Sequence, residues 1–222
     1  MIEPLPVYYD SPRYNVESLL PHAAERILEI GSGGGATLGW LKKKWPNAVA
    51  IGIDGFEDAR ESLVKNSDES LIYDLNKPLP DLGTFDLILA LDVLEHLIDP
   101  GTVLNHLISI LKPGGTIIVS LPNVSRISIA LRLLMGNFDY TDAGIMDRTH
   151  LRFFTPKSAV RLLNDAGFCV TKALVTGVDS GVWRLIDRVS LGRIRDRLAF
   201  QLMMKAVAGP QSASVRWLPA PN

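Results

Sequence analysis

Residues 27–35 read Ile-Leu-Glu-Ile-Gly-Ser-Gly-Gly-Gly, followed by Ala36–Trp45 with Leu38, Leu41 and Trp45 at helical spacing. A short apolar run carrying an acid, Glu29, passes into a loop almost without side chains and then into an amphipathic helix. That order is strand, tight turn, helix: the opening unit of a nucleotide-binding α/β sheet. Glycine suits such a turn because a Cβ would hold a ligand off the backbone and disfavour positive φ.

Outward from this unit the chain alternates strand and helix signals. Strand-like runs cover Arg26–Ile30, Ala48–Asp54, Ser70–Asp74, Phe85–Asp92 and Gly115–Leu121. Helix candidates are Ala36–Trp45, Glu57–Lys65 and Pro100–Leu111, the last with Val103, Leu104, Leu107, Ile108 and Leu111 on one face. Lys112-Pro113-Gly114-Gly115 reads as a helix stop and tight turn. Phe85–Leu91 is apolar almost throughout, as expected of a parallel strand covered on both faces. Further on, Val124–Met135 and Pro156–Ala166 read as helices, Phe168–Val175 as a strand and Trp183–Arg197 as a basic helix. Ala199–Val207 reads as a last, antiparallel strand. The expected fold is α/β and Rossmann-like: a doubly wound, mostly parallel seven-stranded sheet with one antiparallel strand. One domain spans residues 1–207, with a core at 24–122 and an insertion or lid at 123–155; residues 208–222, with Pro210, Pro219 and Pro221, read as a flexible tail.

Bulk properties narrow the classes. With 222 residues, 47% of them hydrophobic, the chain can bury one good core. A net charge of −1 supplies no global field for nucleic acid. The single cysteine, Cys169, suits a reducing compartment. No apolar run approaches a membrane span, and the first residues lack a signal-peptide pattern. The expectation is a cytoplasmic protein with no nucleic-acid partner.

The glycine loop fits two ligands. Gly31, Gly33 and Ala36 satisfy a dinucleotide fingerprint, and Asp54 lies 23 residues beyond Gly31, near the expected ribose-binding acid. Against a dinucleotide, Glu29 beside a pyrophosphate would be repulsive, whereas a carboxylate there can bind an amino group. Gly31, Gly33 and Gly35 alternate, which suits a close-packed adenosyl group. The fourth strand runs into Leu91-Asp92-Val93-Leu94-Glu95-His96. Together Glu29-Ile-Gly-Ser-Gly-Gly-Gly, Gly52-Ile-Asp54, Phe85 through His96 and Leu111-Lys-Pro-Gly-Gly resemble a class I S-adenosylmethionine-dependent methyltransferase over residues 24–122. The stretch Gly144-Ile-Met-Asp-Arg-Thr-His-Leu-Arg-Phe-Phe-Thr155 resembles a bacterial subgroup, some of it associated with surface polysaccharides, in which Met146 is a leucine.

The resemblance implies S-adenosyl-L-methionine as cofactor and S-adenosyl-L-homocysteine as product. Glu29, Gly31, Gly33 and Gly35 would lie under the methionine and ribose, and Asp54 would accept from both ribose hydroxyls. An alternative for Asp54 is a helix cap with Glu57 three residues on. Asp74 would meet the adenine amino group, with the Leu75 N–H on a ring nitrogen. Leu91 and Asp92 close the fourth strand, and the Leu91 carbonyl would hold the methionine ammonium. His96 is read as structural.

The acceptor would be a small molecule, a sugar or a glycan precursor, methylated on O or N. The sulfonium methyl is already electrophilic, so alignment and exclusion of water are what the protein must add. No metal is expected, because His22, His96, His106, His150 and Cys169 show no ligand spacing. His150 is the candidate general base, oriented by Asp147, with Tyr140 and Arg148 holding the substrate. The alternative is a salt-bridge network of Asp147, Arg148 and Arg152 bracing a lid, with Thr155 capping the next helix ahead of Pro156. Tyr8, Tyr9, Arg13 and Tyr14, ahead of the first strand, would pack against the domain or fold over the cofactor as a second lid. Trp183–Lys205 carries a local excess of four positive charges, with Trp183, Ile186 and Val189 on one helical face; it would pack on the sheet, or meet an anionic substrate or a membrane surface. Rival readings are an NAD-dependent reductase, for which only Tyr73 and Lys77 have the required spacing, and a non-catalytic binding protein.

Overall fold

A computed structural model describes residues 11–177, 185, 187–190, 194–212 and 215–221. Strands β1 (Arg26–Ile30), β2 (Val49–Asp54), β3 (Glu69–Ile72), β4 (Phe85–Leu91), β5 (Leu111–Pro122), β6 (Phe168–Thr176), β7 (Gln201–Ala208) and β8 (Trp217–Pro219) form one sheet in the order β3-β2-β1-β4-β5-β7-β6-β8. β7 runs antiparallel to both β5 and β6, and the other pairings are parallel. This is the expected Rossmann-like α/β sheet with one reversed strand, but with eight strands instead of seven.

The eighth strand corrects the reading of residues 208–222 as a flexible tail. β6 would otherwise present an open edge, and exposed strand edges are normally covered. Trp217–Pro219 pairs along it, Ala220 N donates to Val175 O at 3.0 Å, and the Val170 N–H donates to Ser212 Oγ at 2.6 Å.

The helices include α1 (Ala36–Lys44), α2 (Arg60–Asn66), α3 (Pro100–Ser109), α4 (Ile127–Leu134), α5 (Pro156–Asp165) and α6 (Arg195–Leu198), with 3-10 turns at Tyr14–Leu19 and Leu94–His96. The central strands β1 and β4 are buried on both faces. Val103, Leu104 and Leu107 of α3 join Ala159 and Leu163 of α5 in the core on one side of the sheet. Leu38 and Leu41 of α1 join Val16 and Leu19 in the core on the other. Two helix starts follow from their caps. Asp99 accepts from Thr102 N ahead of Pro100, and Thr155 with Ser158 closes a reciprocal capping box ahead of Pro156.

Three boundaries differ from the sequence reading. The helix expected over Glu57–Lys65 splits into a 3-10 turn, Glu57–Ala59, and α2. α4 begins at Ile127 because Asn123 Oδ1 accepts from Ser125 N and Oγ, holding residues 123–126 in a turn. Lys112–Gly115 lies inside β5, where the register against β4 shifts between Phe85 and Leu87. Of the basic segment, Trp183 and Ile186 lie outside the described residues, as do Tyr8 and Tyr9 near the N-terminus; Arg195 pairs with Asp187 at 2.9 Å. No helix among the described residues is long and apolar enough to cross a membrane.

Candidate active site

From β1 the chain winds toward β2 and β3; from β4 it winds toward β5. The carboxyl ends of β1 and β4 therefore flank the crevice at which open α/β sheets bind ligands. A cavity of about 420 Å³ opens there, between the glycine loop, the end of β4 and residues 142–150. Of the residues singled out in the sequence, Glu29, Gly31, Gly33, Leu91, Asp92, Asp147 and His150 line it. Gly35, Asp54, Asp74, Leu75, Tyr140 and Arg148 do not.

The loop geometry explains its glycines. Gly31 has φ +65°, and a Cβ there would lie 2.5 Å from Val93 Cγ2. Gly35, at φ +73°, occupies the left-handed position before α1, so its role is to start the helix. Asp54 is buried behind the loop: Oδ2 accepts from Gly33 N at 2.7 Å and Oδ1 from Phe56 N at 2.9 Å. The alternative of a capping box with Glu57 is not formed, since the following 3-10 turn has Phe56 at its N-terminal boundary and no side-chain cap.

Asp74 is exposed, with Oδ1 accepting from Asn76 N and Nδ2, and Leu75 is buried beside it. Tyr73 and Lys77 make no reductase pair: the Tyr73 hydroxyl donates to Pro78 O at 2.6 Å, and Lys77 N closes a turn onto Asp74 O.

At the loop end of the cavity stands Glu29, 3% exposed, whose Oε2 has no hydrogen-bond partner among the described residues. Burial pushes its carboxyl up to about 8, against the opposing pull of Arg13 and a hydrogen bond from Thr37. Arg13 also pairs with Asp92 at 3.0 Å, and its N–H donates to Thr37 Oγ1. Asp92 is the one non-glycine residue with positive φ, +52°, among the described residues. Aspartate tolerates that region better than most side chains, and such positions concentrate at functional sites. Its carboxylate is held by Ser120 Oγ at 2.8 Å and Gln201 Nε2 at 2.7 Å. The tips of β4, β5 and β7 thereby meet at one half-buried acid.

The other end holds Glu95, His96 and His150. Glu95 is 1% exposed, neither carboxylate oxygen has a hydrogen-bond partner among the described residues, and burial followed by the nearby Asp92 charge pushes its carboxyl well up. His150 Nε2 lies 4.0 Å from Glu95 Oε1, and its Nδ1 is 3.1 Å from Ile145 O. Because a carbonyl only accepts, Nδ1 carries a proton, which makes Nε2 the nitrogen able to accept one. The expected orienter, Asp147, does not perform that task. Its Oδ1 accepts from Thr149 N and Oγ1, and those two bonds outweigh burial to hold its carboxyl below the usual range. His96, read as structural, lies in the cavity with its ring edge-on to His150 at 4.8 Å; burial and the His150 charge lower its pKa.

Tyr140 is half exposed and packs edge-on to Phe138, while Arg148 pairs with exposed Asp142. The alternative network of Asp147, Arg148 and Arg152 does not form either, since Arg152 donates to Ile98 O. Sequence reasoning missed Glu95, Thr37 and Gln201. Glu95 was detectable as a second acid, three residues after Asp92, in a mostly apolar run; nothing in the sequence places Gln201 opposite Asp92.

A family model described as a methyltransferase domain matches residues 11–173. The ubiquinone biosynthesis O-methyltransferase of Bradyrhizobium diazoefficiens is 30% identical over 171 residues, covering 74% of this chain. The chain spans 65% of that relative's own length. Among solved structures, an S-adenosylmethionine-dependent methyltransferase from Mesorhizobium loti superposes with a TM-score of 0.61 at 19% identity, covering 86% of this chain and 94% of that one. The O-methyltransferase of a Brevibacillus brevis trans-AT polyketide synthase multienzyme, solved with S-adenosyl-L-homocysteine, superposes at 0.54 and 14% identity, covering 84% and 67%. The chain belongs to the methyltransferase-domain family and has the class I S-adenosylmethionine-dependent methyltransferase fold.

Proposed function

We propose that this protein transfers a methyl group from S-adenosyl-L-methionine to an oxygen or nitrogen of a small polar acceptor such as a sugar or glycan precursor. The observation that carries this reading is the cavity at the β1–β4 crevice, with a buried carboxylate at one end, one of whose oxygens has no hydrogen-bond partner among the described residues, and a histidine–carboxylate group at the other. Its residues fit the cofactor. Gly31 leaves no room for a side chain where an adenosyl group would pack against backbone, and Glu29 Oε2 supplies an acceptor for the methionine ammonium. The Leu91 carbonyl is a second acceptor at the end of β4, and Arg13, anchored by Asp92, is the cation for the cofactor carboxylate. Beyond the cavity lining, Asp54, with lone pairs to spare beyond the Gly33 and Phe56 N–H groups, is the acceptor for the ribose hydroxyls, and Asp74 and Leu75 are the residues for the adenine edge.

The bound cofactor supplies an electrophilic methyl. The protein then aligns the acceptor, excludes water and deals with the acceptor's proton. That proton is lost at the Glu95–His96–His150 end, where the free Nε2 of His150 makes it the candidate base. A polar acceptor is supported by Asp142, Asp147 and His150 along the cavity wall.

Titration calorimetry with S-adenosyl-L-methionine, S-adenosyl-L-homocysteine and NADH in parallel tests this. Binding of the first two, lost in Asp54→Ala, is expected, followed by labelled-methyl screening of acceptors. Binding of NADH alone would overturn the reading.

A further inference from the structure

None of the residues of α4 is buried, whereas each of the other described helices buries at least one side chain. Its composition does not suit that exposure. Ile127, Ala130, Leu131 and Leu134 recur at i, i+3, i+4 and i+7, the stripe that a surface helix normally turns toward a core. Here the stripe meets water: Leu131 is 49% and Leu134 83% exposed. Leu133, Met135, Phe138 and Tyr140 add further exposed apolar surface, and every residue from 130 to 144 is exposed. Large apolar patches left in water mark interaction sites.

Charge selects the partner. Between residues 126 and 142 the chain carries two arginines, Arg126 and Arg132, and two aspartates, Asp139 and Asp142. Helices that lie on lipid are rich in basic residues on the polar face. Exposed Asp139 and Asp142 cancel that attraction for an anionic bilayer. The signs are instead set in order, with Arg126 at the start of α4 and both acids beyond its end. The helix dipole has the same sense. A segment positive at one end and negative at the other complements its own reversed copy.

We propose that α4 and residues 135–142 form a two-fold interface with a second copy of this chain, the two α4 helices packing antiparallel. Such an isologous contact pairs the same patch on both copies. The axis passes between Ala130 and Leu131, at the middle of the helix, where the small Ala130 side chain lets the backbones approach. Leu134 of each copy then packs near Ile127 of the other, and Arg126 comes to the acidic end that holds Asp139. Within the chain Asp139 pairs with Arg132 at 3.2 Å, an exposed contact of little energy that leaves its carboxylate able to accept a second cation. The interface also bears on the cavity. Gly136 N and Asn137 N donate to Leu133 O and Arg132 O, and farther along the same segment Asp142, Ala143 and Gly144 line the cavity wall. The pairing itself assumes nothing about the reaction.

Residues 130–144 fall short of the roughly 20–30 residues a side of a standard interface, so the dissociation constant should be on the order of micromolar. Sedimentation velocity of the full chain from about 1 to 100 μM tests this. A concentration-dependent rise from one chain to two is expected. Leu134→Asp and Asp139→Arg should each raise the dissociation constant at least about tenfold, and adding Arg126→Asp to Asp139→Arg should restore pairing. Denaturant midpoints should not move in Leu134→Asp, because that side chain is not part of the monomer core. A single chain at every concentration, or a dimer that Leu134→Asp leaves intact, would overturn the interface. Flotation with phosphatidylcholine–phosphatidylglycerol vesicles supplies the last arm: a chain that stays monomeric and floats with them assigns the face to lipid and rejects the second copy.

Discussion

A Cβ built on Gly31 falls 2.5 Å from Val93 Cγ2 and 2.6 Å from Val93 Cβ. The contact joins the end of β1 to the residue after Asp92, so the glycine loop and the β4 turn are packed as one piece. Val93 is itself buried. Gly31→Ala combines two penalties, about 1–2 kcal/mol for the left-handed conformation and about 1–3 kcal/mol for overpacking. Gly114, at φ +78° with nothing within 4 Å of its Cβ, isolates the first of them. Denaturant midpoints should therefore fall further for Gly31→Ala than for Gly114→Ala, and only the former should weaken S-adenosyl-L-homocysteine binding. Equal losses would mean that the Val93 contact relaxes freely.

The parts of this site legible in the sequence are those whose signal is local. β1 and α1 emerge almost residue for residue, because the apolar run and the 3.6-residue period report burial directly. Glu29, Gly31 and Asp92 reach the cavity because their place at strand ends follows from the same pattern. What pairs with them was not legible. Gln201 sits on Asp92 through the antiparallel register of β7 against β5, which no local pattern encodes. Glu95 and His150 come together through the backbone bonds from residues 151 and 152, so sequence spacing among the histidines carried no ligand signal. β8 was hidden by Pro219 within it and Pro221 just beyond, since the turn-forming reputation of proline obscures its tolerance at a sheet edge.

Glu29 makes stability depend on pH in an unusual direction. Its folded value of about 8 lies above the ordinary 4.5, so the folded state holds the proton more tightly than the unfolded chain. The contribution is complete below about pH 4.5 and is lost as pH rises through about 8. Glu95 is shifted the same way and adds to the loss. Glu29→Gln keeps the shape and removes one titration. Denaturant midpoints measured between pH 5 and pH 8.5 should decline less steeply in the variant, by an amount on the order of a few kcal/mol over the range. Parallel pH profiles for the two proteins would mean that water reaches Glu29 and leaves it an ordinary acid.

His150 stands beside the acceptor end and not the cofactor end, so its removal should separate the two activities. With an acceptor found by the labelled-methyl screen, His150→Ala should lower turnover by about 10²–10⁴-fold, the range for a lost proton-transfer group. Affinity for S-adenosyl-L-homocysteine should stay within a factor of about two, since cofactor contacts lie at the glycine loop. Paired kinetic and calorimetric measurements decide this. Unchanged turnover at saturating cofactor would remove His150 from the chemistry.

Gln201 offers the sharpest test of the Asp92 junction. Its Oε1 accepts from Asn15 Nδ2 at 3.2 Å, while its Nε2 donates to both Asp92 oxygens at 2.7 Å. Gln201→Glu preserves the first contact and turns the second into a carboxylate pair at hydrogen-bond distance. Two such acids cannot both ionise, so one must keep a proton and its pKa rises. The folded state then binds a proton that the unfolded chain releases, and the variant loses stability as pH rises. Relative to the unmodified protein, Gln201→Glu should be little changed near pH 4.5 and destabilised by about 2–4 kcal/mol near pH 8. The same repulsion competes with Arg13 for Asp92, so cofactor affinity should fall over the same interval. A pH-independent loss in thermal and denaturant scans would show that Asp92 is reached by water and that β7 does not hold it.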